Sequence, residues 1–293
     1  MRECDRTGRT ATDVLDELLT LLVLDEGAGG VLRGRSPRRS LPFVYGGLLA
    51  AQALAAAYRS VDRPLRVHSL HAYFLAAGDP RADLLYEVME IRDSPSFAVR
   101  RVCARQGERV VFEATMSFSI DVPGLEHGRA PNCLSDDPGD LPQLGAWLRP
   151  HHAVLPDWWT GPMAIDLRYP AQPPHVLSSA LRSGQRLWMR AVASLPEDAR
   201  LHECVFTFAS DLTLLDPVLL ANGKSWYAGG IRGASLDHAI WFHRRFPIDG
   251  WVLYEQASPA SYGGRGLGTG DVFTADGTLC ASVAQQGLVR LIT

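Results

Sequence analysis

The chain has 293 residues, 46% of them hydrophobic and 21% charged, with a formal net charge of -3. This is an ordinary globular balance, long enough for one large domain or two ordinary ones around a sizeable core. It gives no sign of a nucleic-acid partner, and the five scattered cysteines (Cys4, Cys103, Cys133, Cys204 and Cys280) lack the spacing of a disulfide framework or zinc site. Reduced thiols predict a cytoplasmic setting.

The first element is "VLDELLTLLVLDE". Val14, Leu18, Leu21 and Leu22 recur at helical spacing, while Asp16, Glu17 and Asp25 interrupt the run. That predicts an amphipathic helix packed on the body, neither a signal peptide nor a membrane span. Residues 46 to 61, "GGLLAAQALAAAYRSV", predict a second helix, buried on most sides, with Gln52 as its one polar interruption. Gly46 and Gly47 at its start allow something to approach the backbone closely.

Strand-like runs follow at 66 to 75, 83 to 93, 96 to 106 and 108 to 120, broken at Gly78-Asp79-Pro80, Ser94-Pro95 and Gly107. They predict an antiparallel meander. Pro, Gly, Asp and His gather between 121 and 160, which reads as a connector. Strands are expected at 164 to 170 and 185 to 195, then a helical stretch at 201 to 220, then four more segments. "LLYEV" at 84 to 88 answers "VLYEQ" at 252 to 256, an offset of 168, and "VHSLHAYF" answers "ASLDHAIWF" with one residue more. The chain therefore reads as an α+β protein of two tandem units, each a long buried helix wrapped by an antiparallel sheet. The expected division is 1–120, a connector at 121–160, and 161–293.

Ser235, Asp237 and His238 are the residue types of a hydrolytic triad. A continuous strand over 234 to 242 would put Ser235 and His238 on opposite faces, and G-x-S-x-G is absent. His238 then reads as a packed core histidine. The glycine cluster "GGRGLGTG" at 263 to 270 precedes no helix, so it fits no phosphate-binding fingerprint. His151-His152 lies beside prolines and makes a poor metal pair. Asp211, in the apolar run "FASDLTLL", is either a helix N-cap or a buried carboxylate with a chemical role. Gln285 sits in a run that should be a central strand, where the first repeat has Ser117 at the corresponding offset.

Taken in order, "VLRGRS", "VYGGLLAAQAL", "VHSLHAYFLAAGD", "RDSPSFAVRRV", "FASDLTLL", "ASLDHAIWFHR" and "VAQQGLVR" resemble the TesB-like, type II acyl-CoA thioesterases, from about Leu15 to Arg290. The resemblance implies a double hot-dog fold and hydrolysis of a fatty acyl-CoA to free acid and CoA. It also implies a water held by an Asp, a Thr or Ser, and a Gln, which fall on Asp211, Ser235 and Gln285. It implies no metal or other cofactor, an acyl-CoA or acyl-carrier thioester as substrate, and a homo-oligomer, dimer or tetramer. The thioester oxygen would meet N–H groups at the helix start, Gly46 and Gly47. Arg100, Arg101 and Arg265 are available for the CoA phosphates. The chain departs from the family at Ser235, Leu48 and Ser94-Pro95. Two other readings stay open: a non-catalytic acyl-thioester binder, and a hot-dog hydratase or dehydratase, whose Y-x-x-x-G-D-x-N-P-x-H motif is absent.

Overall fold

The computed structural model describes residues 8–37, 41–134, 136–151, 155, 157–174, 181–226 and 230–292. Its first helix, α1 (Ala11–Leu22), starts in a capping box: Asp13 N–H donates to the Thr10 hydroxyl, and the Asp13 carboxylate accepts from Thr10 N–H at 2.7 Å. Leu15, Leu18 and Leu22 bury one face, as the spacing predicts. The second helix, α2 (Gly46–Arg59), is buried along almost its whole length. Gln52 is tolerated there because its amide is satisfied. It donates to the carbonyls of Leu21 and Arg35 and accepts from the Tyr86 hydroxyl.

The first-half strands are β1 (Asp25–Glu26), β2 (Leu32–Gly34), β3 (Arg66–Phe74), β4 (Leu84–Ser94), β5 (Phe97–Gln106) and β6 (Arg109–Ser119). Short helices α3 (Leu144–Leu148) and α4 (Asp157–Thr160) lie within the stretch expected as connector. Its earlier part is tied down where Arg129 and Asn132 bond the Glu255 carboxylate. The second half contains β7 (Ile165–Arg168), β8 (Gly184–Ala191), α5 (Ala199–Ser210), α6 (Asp216–Ala221), β9 (Ile231–Ser235), β10 (Asp237–Phe242), β11 (Val252–Tyr262), β12 (Arg265–Thr274) and β13 (Leu279–Leu291).

The strands form one sheet in the order β1-β2-β4-β5-β6-β3-β10-β13-β12-β11-β8-β7, with β9 paired on β13. The two halves join where β3 and β10 run antiparallel, Leu70 opposite Ile240. Helices α2 and α5 pack against each other on the same side of the sheet. The repeat of tyrosines has a physical counterpart. Tyr86 on β4 reaches Gln52 of α2, and Tyr254 on β11 donates to the Ser210 carbonyl of α5 at 3.3 Å.

Three expectations are corrected. The stretch 201–220 is two helices, not one, because Pro217 cannot continue a helix but suits the first turn of a new one. Asp211 consequently caps the C-terminal end of α5 and is not an N-cap. The stretch 234–242 is broken at Leu236, so strict alternation does not run through it. The glycine cluster lies in β12 and the turn before it. A side chain at Gly268 would collide with the Leu214 carbonyl, so the glycine lets the segment between α5 and α6 lie directly on the sheet.

Candidate active site at the seam of the two halves

The break between α5 and α6 turns Asp211 out of the helix toward the sheet. Two neighbours converge on one of its oxygens. The Gln285 amide nitrogen donates to Asp211 Oδ1 at 2.6 Å and to Ser235 Oγ at 2.7 Å, while Ser235 Oγ donates to Asp211 Oδ1 at 3.2 Å. Residues 24 and 74 positions from Asp211 thus meet at a single oxygen. Gln285 is fully buried in β13, whereas Asp211 and Ser235 are half-buried and reach toward solvent.

The first half supplies the other wall. Gly46 opens α2 so close to the carboxylate that a Cβ there would stand 2.8 Å from Asp211 Oδ2. The Gly47 N–H faces the carboxylate, and the Tyr45 hydroxyl, which donates to the Phe208 carbonyl at 3.0 Å, stands beside it. The first N–H groups of a helix lack partners within it and carry its positive end, so a carboxylate fits there. Burial pushes the Asp211 carboxyl up to about 6; the hydrogen bonds from Gln285 and Ser235 pull the other way and limit the rise. The result is a carboxylate largely ionised at neutral pH yet basic enough to take a proton.

His238 is buried, as expected of a core histidine, but it is wired to the site. Its Nδ1 lies 2.9 Å from Gln285 Oε1, and its Nε2 lies 2.9 Å from Ser210 Oγ. Since Gln285 Oε1 only accepts, Nδ1 must carry the proton. That proton fixes the amide with its nitrogen toward Asp211. Burial lowers the imidazole pKa to about 4, so the ring is neutral at physiological pH. Asp237 turns elsewhere and accepts from Gln286 N–H at 2.8 Å. A second buried carboxylate, Asp216, is pushed up to about 7 by burial, but it bonds Trp226 and Gln185 and does not touch the trio.

The structure therefore brings Asp211, Ser235 and Gln285 together with Gly46 and Gly47. Sequence reasoning missed Tyr45 and the link from His238. The one-residue excess of "ASLDHAIWF" over "VHSLHAYF" was the available signal, because an extra residue in a strand turns the later side chains to the other face. Two of the three arginines named for phosphates are committed elsewhere. Arg100 bonds Asp93, and Arg101 bonds Glu113. His151 sits in a short turn, and His152 lies outside the described residues. Among the described residues no group of three or more His, Cys, Asp or Glu is placed to hold a metal, and no helix is long and apolar enough to cross a membrane.

Comparison with known proteins shows the family. Residues 36–119 match the family described as acyl-CoA thioesterase N-terminal domain, and residues 167–288 the family described as acyl-CoA thioesterase. Acyl-CoA thioesterase 2 of Haemophilus influenzae is 31% identical over 284 residues, covering 95% of this chain and 99% of that protein. The crystal structure of acyl-CoA thioesterase II TesB2 from Mycobacterium marinum is 35% identical with a TM-score of 0.76, covering 94% of this chain and 99% of that one. A hot-dog protein of unknown function from Alicyclobacillus acidocaldarius, 19% identical with a TM-score of 0.78 over 94% of this chain and 99% of that one, shares the fold. The chain belongs to the TesB-like, type II acyl-CoA thioesterase family: it is a double hot-dog protein and a thioester hydrolase.

Proposed function

We propose that the protein hydrolyses a fatty acyl-CoA with a water molecule activated by Asp211 and held by Ser235 and Gln285. The observation that carries this reading is the meeting of two donors on one oxygen of a half-buried carboxylate whose pKa lies near 6. Asp211 takes a proton from water as the water oxygen attacks the thioester carbonyl carbon. The carbon–sulfur bond then breaks, and the proton on Asp211 passes to the departing CoA thiolate. Ser235 accepts from Gln285 and donates to Asp211, so its remaining lone pair can receive the water's second hydrogen. The developing oxyanion falls to the first turn of α2. The Gly46 and Gly47 N–H groups at that helix start are the donors available for it.

No covalent acyl-enzyme forms in this scheme. Thiol release over a panel of acyl chain lengths, with wild type beside Asp211→Ala, tests it. Turnover by the wild type and its loss in the variant are expected. Undiminished turnover in the variant, or an acyl group on Ser235 by mass spectrometry, would sink it. We further propose the division 1–120, 121–160 and 161–293, a cytoplasmic setting, and assembly as a homo-oligomer. The β3–β10 seam supports the division, although Tyr45 to Gly47 make the site a product of both units. Sedimentation of the purified protein tests the assembly, with a monomer as the contrary result.

A further inference from the structure

Arginines on this protein are mostly committed to carboxylates. Arg100 donates to both oxygens of Asp93 at 3.1 Å, Arg101 holds Glu113 with two bonds, and Arg129 bridges Asp271 and Glu255. Arg232, Arg265 and Arg290 differ. All three are exposed, and none makes an ion pair or hydrogen bond among the described residues.

The sheet gathers them. Arg232 of β9 lies directly opposite Arg290 of β13, and Arg265 of β12 lies opposite Leu288, two residues before Arg290. The Arg290 side chain lies along Gly264, and the Arg265 guanidinium lies near Gly263, so both flank the β11–β12 turn. Like charges set directly opposite each other repel, and an anion between them removes that cost. Tyr262 pairs with Arg265 across the turn and is 89% exposed. Gly266 and Gly287 face Val218 and Leu215 of the helical layer, so by alternation these four side chains lie on the other face.

The patch is within reach of the active site. Ser235 ends the strand that carries Arg232, three residues away, or about 10 Å along the strand. Among the described strands β9 pairs with β13 alone, so a flexible arm can pass round its open edge to Asp211.

We propose that Arg232, Arg265 and Arg290 bind the phosphates of the acyl-CoA, with Tyr262 stacking on its adenine. The proposal rests on the acyl-CoA reading of the site at Asp211. Guanidinium groups match phosphate oxygens in pairs, and an exposed aromatic ring suits a base rather than an acidic protein surface. An acyl-carrier protein is the competing occupant.

The test compares wild type with Arg265→Gln/Arg290→Gln on an acyl-CoA and on the N-acetylcysteamine thioester of the same acid, which lacks the nucleotide. The KM for acyl-CoA should rise about tenfold or more with kcat unchanged, and the loss should be confined to the nucleotide-bearing substrate. Tyr262→Ala should raise it about threefold. Adenosine 3′,5′-bisphosphate should bind the wild type in calorimetry and lose affinity in the double variant. Equal losses on both thioesters, no change on either, or a defect seen only with an acyl-carrier substrate would each overturn the assignment. A wild type that cleaves neither thioester defeats the catalytic reading instead, and bisphosphate binding then still decides the patch.

Discussion

In the first half, "SLHAYF" carries His71 exposed on β3, its ring edge-on to Trp241 at 5.2 Å. In the second half, "SLDHAIWF" carries His238 buried against Gln285 and Ser210. The letters are alike and the faces are opposite. Asp237 is the extra residue, and the break at Leu236 accommodates it. The last strand of each half differs in the same way. In β6 the interior positions are Met116 and Phe118, fully buried and apolar, and Ser117 turns away to bond His68 at 2.8 Å. In β13 the interior position is Gln285. At the last strand, then, one half keeps an apolar interior while the other holds a polar network that burial alone would penalise. A duplicated fold can therefore confine its chemistry to one copy by shifting which face a residue occupies.

The largest test of that contrast removes the second half's charge. Asp211→Asn should lower kcat by about 10³-fold or more, because the amide takes no proton from water. The folded-state pKa of about 6 exceeds the usual carboxylate value of 3.8, so folding favours the protonated form. The associated stability is fully present below 3.8 and is lost as pH rises through 6. Asp211→Asn should therefore be more stable than wild type at pH 8, by up to about 3 kcal/mol, with the gain fading toward pH 4. Denaturant melts at both pH values check the sign. The wild-type kcat/KM should rise with pH through about 6 and then level.

The next test makes the second half resemble the first. Gln285→Met copies the interior residue of β6 and should cost about 10²-fold in kcat. It also takes a donor from Asp211, so the pH at which activity is half-maximal should move above 6. An unmoved pH profile would show that the amide does not act on the carboxylate.

His238→Phe should cost about tenfold in kcat with KM unchanged, because the ring acts by holding the Gln285 amide and does not touch substrate. His238→Gln, which keeps a donor, should lose less. The imidazole is held neutral with a pKa near 4, so folding stability tied to it is lost as pH falls from 6.5 to 4. That slope opposes the one from Asp211. Removing the histidine should therefore expose a clear decline in stability between pH 4 and 6, which equilibrium melts across that range would show.

Much of this is legible in the sequence. Periodicity marks α1, alanine- and leucine-rich composition marks α2, turn residues separate β3 to β6, and the resemblance names Asp211, Ser235 and Gln285. The failures have local causes. Pro217 signals a new helix, but the apolar run around it reads as continuous. Gly46 and Gly47 read from sequence as facing substrate, and only the approach of α5 to α2 shows that they also lie against Asp211 and the Phe208 carbonyl. The unpaired state of Arg265, against the engaged Arg100 and Arg101, depends on strand register, which sequence spacing does not contain.

The smallest expected effect belongs to Ser117→Ala. At the sequence offset of 168 this serine stands for Gln285, and if the halves were chemically equivalent its loss would impair turnover. In the structure it faces away from the helices, and its side chain bonds His68. Burial lowers the His68 pKa, so that ring stays neutral near pH 7 and the bond is an ordinary one between uncharged groups. Deleting it should cost about 0.5–1.5 kcal/mol of stability and leave kcat and KM unchanged. A tenfold fall in kcat would mean that the first half takes a direct part in the chemistry beyond the start of α2, and the division of labour between the halves would have to be redrawn.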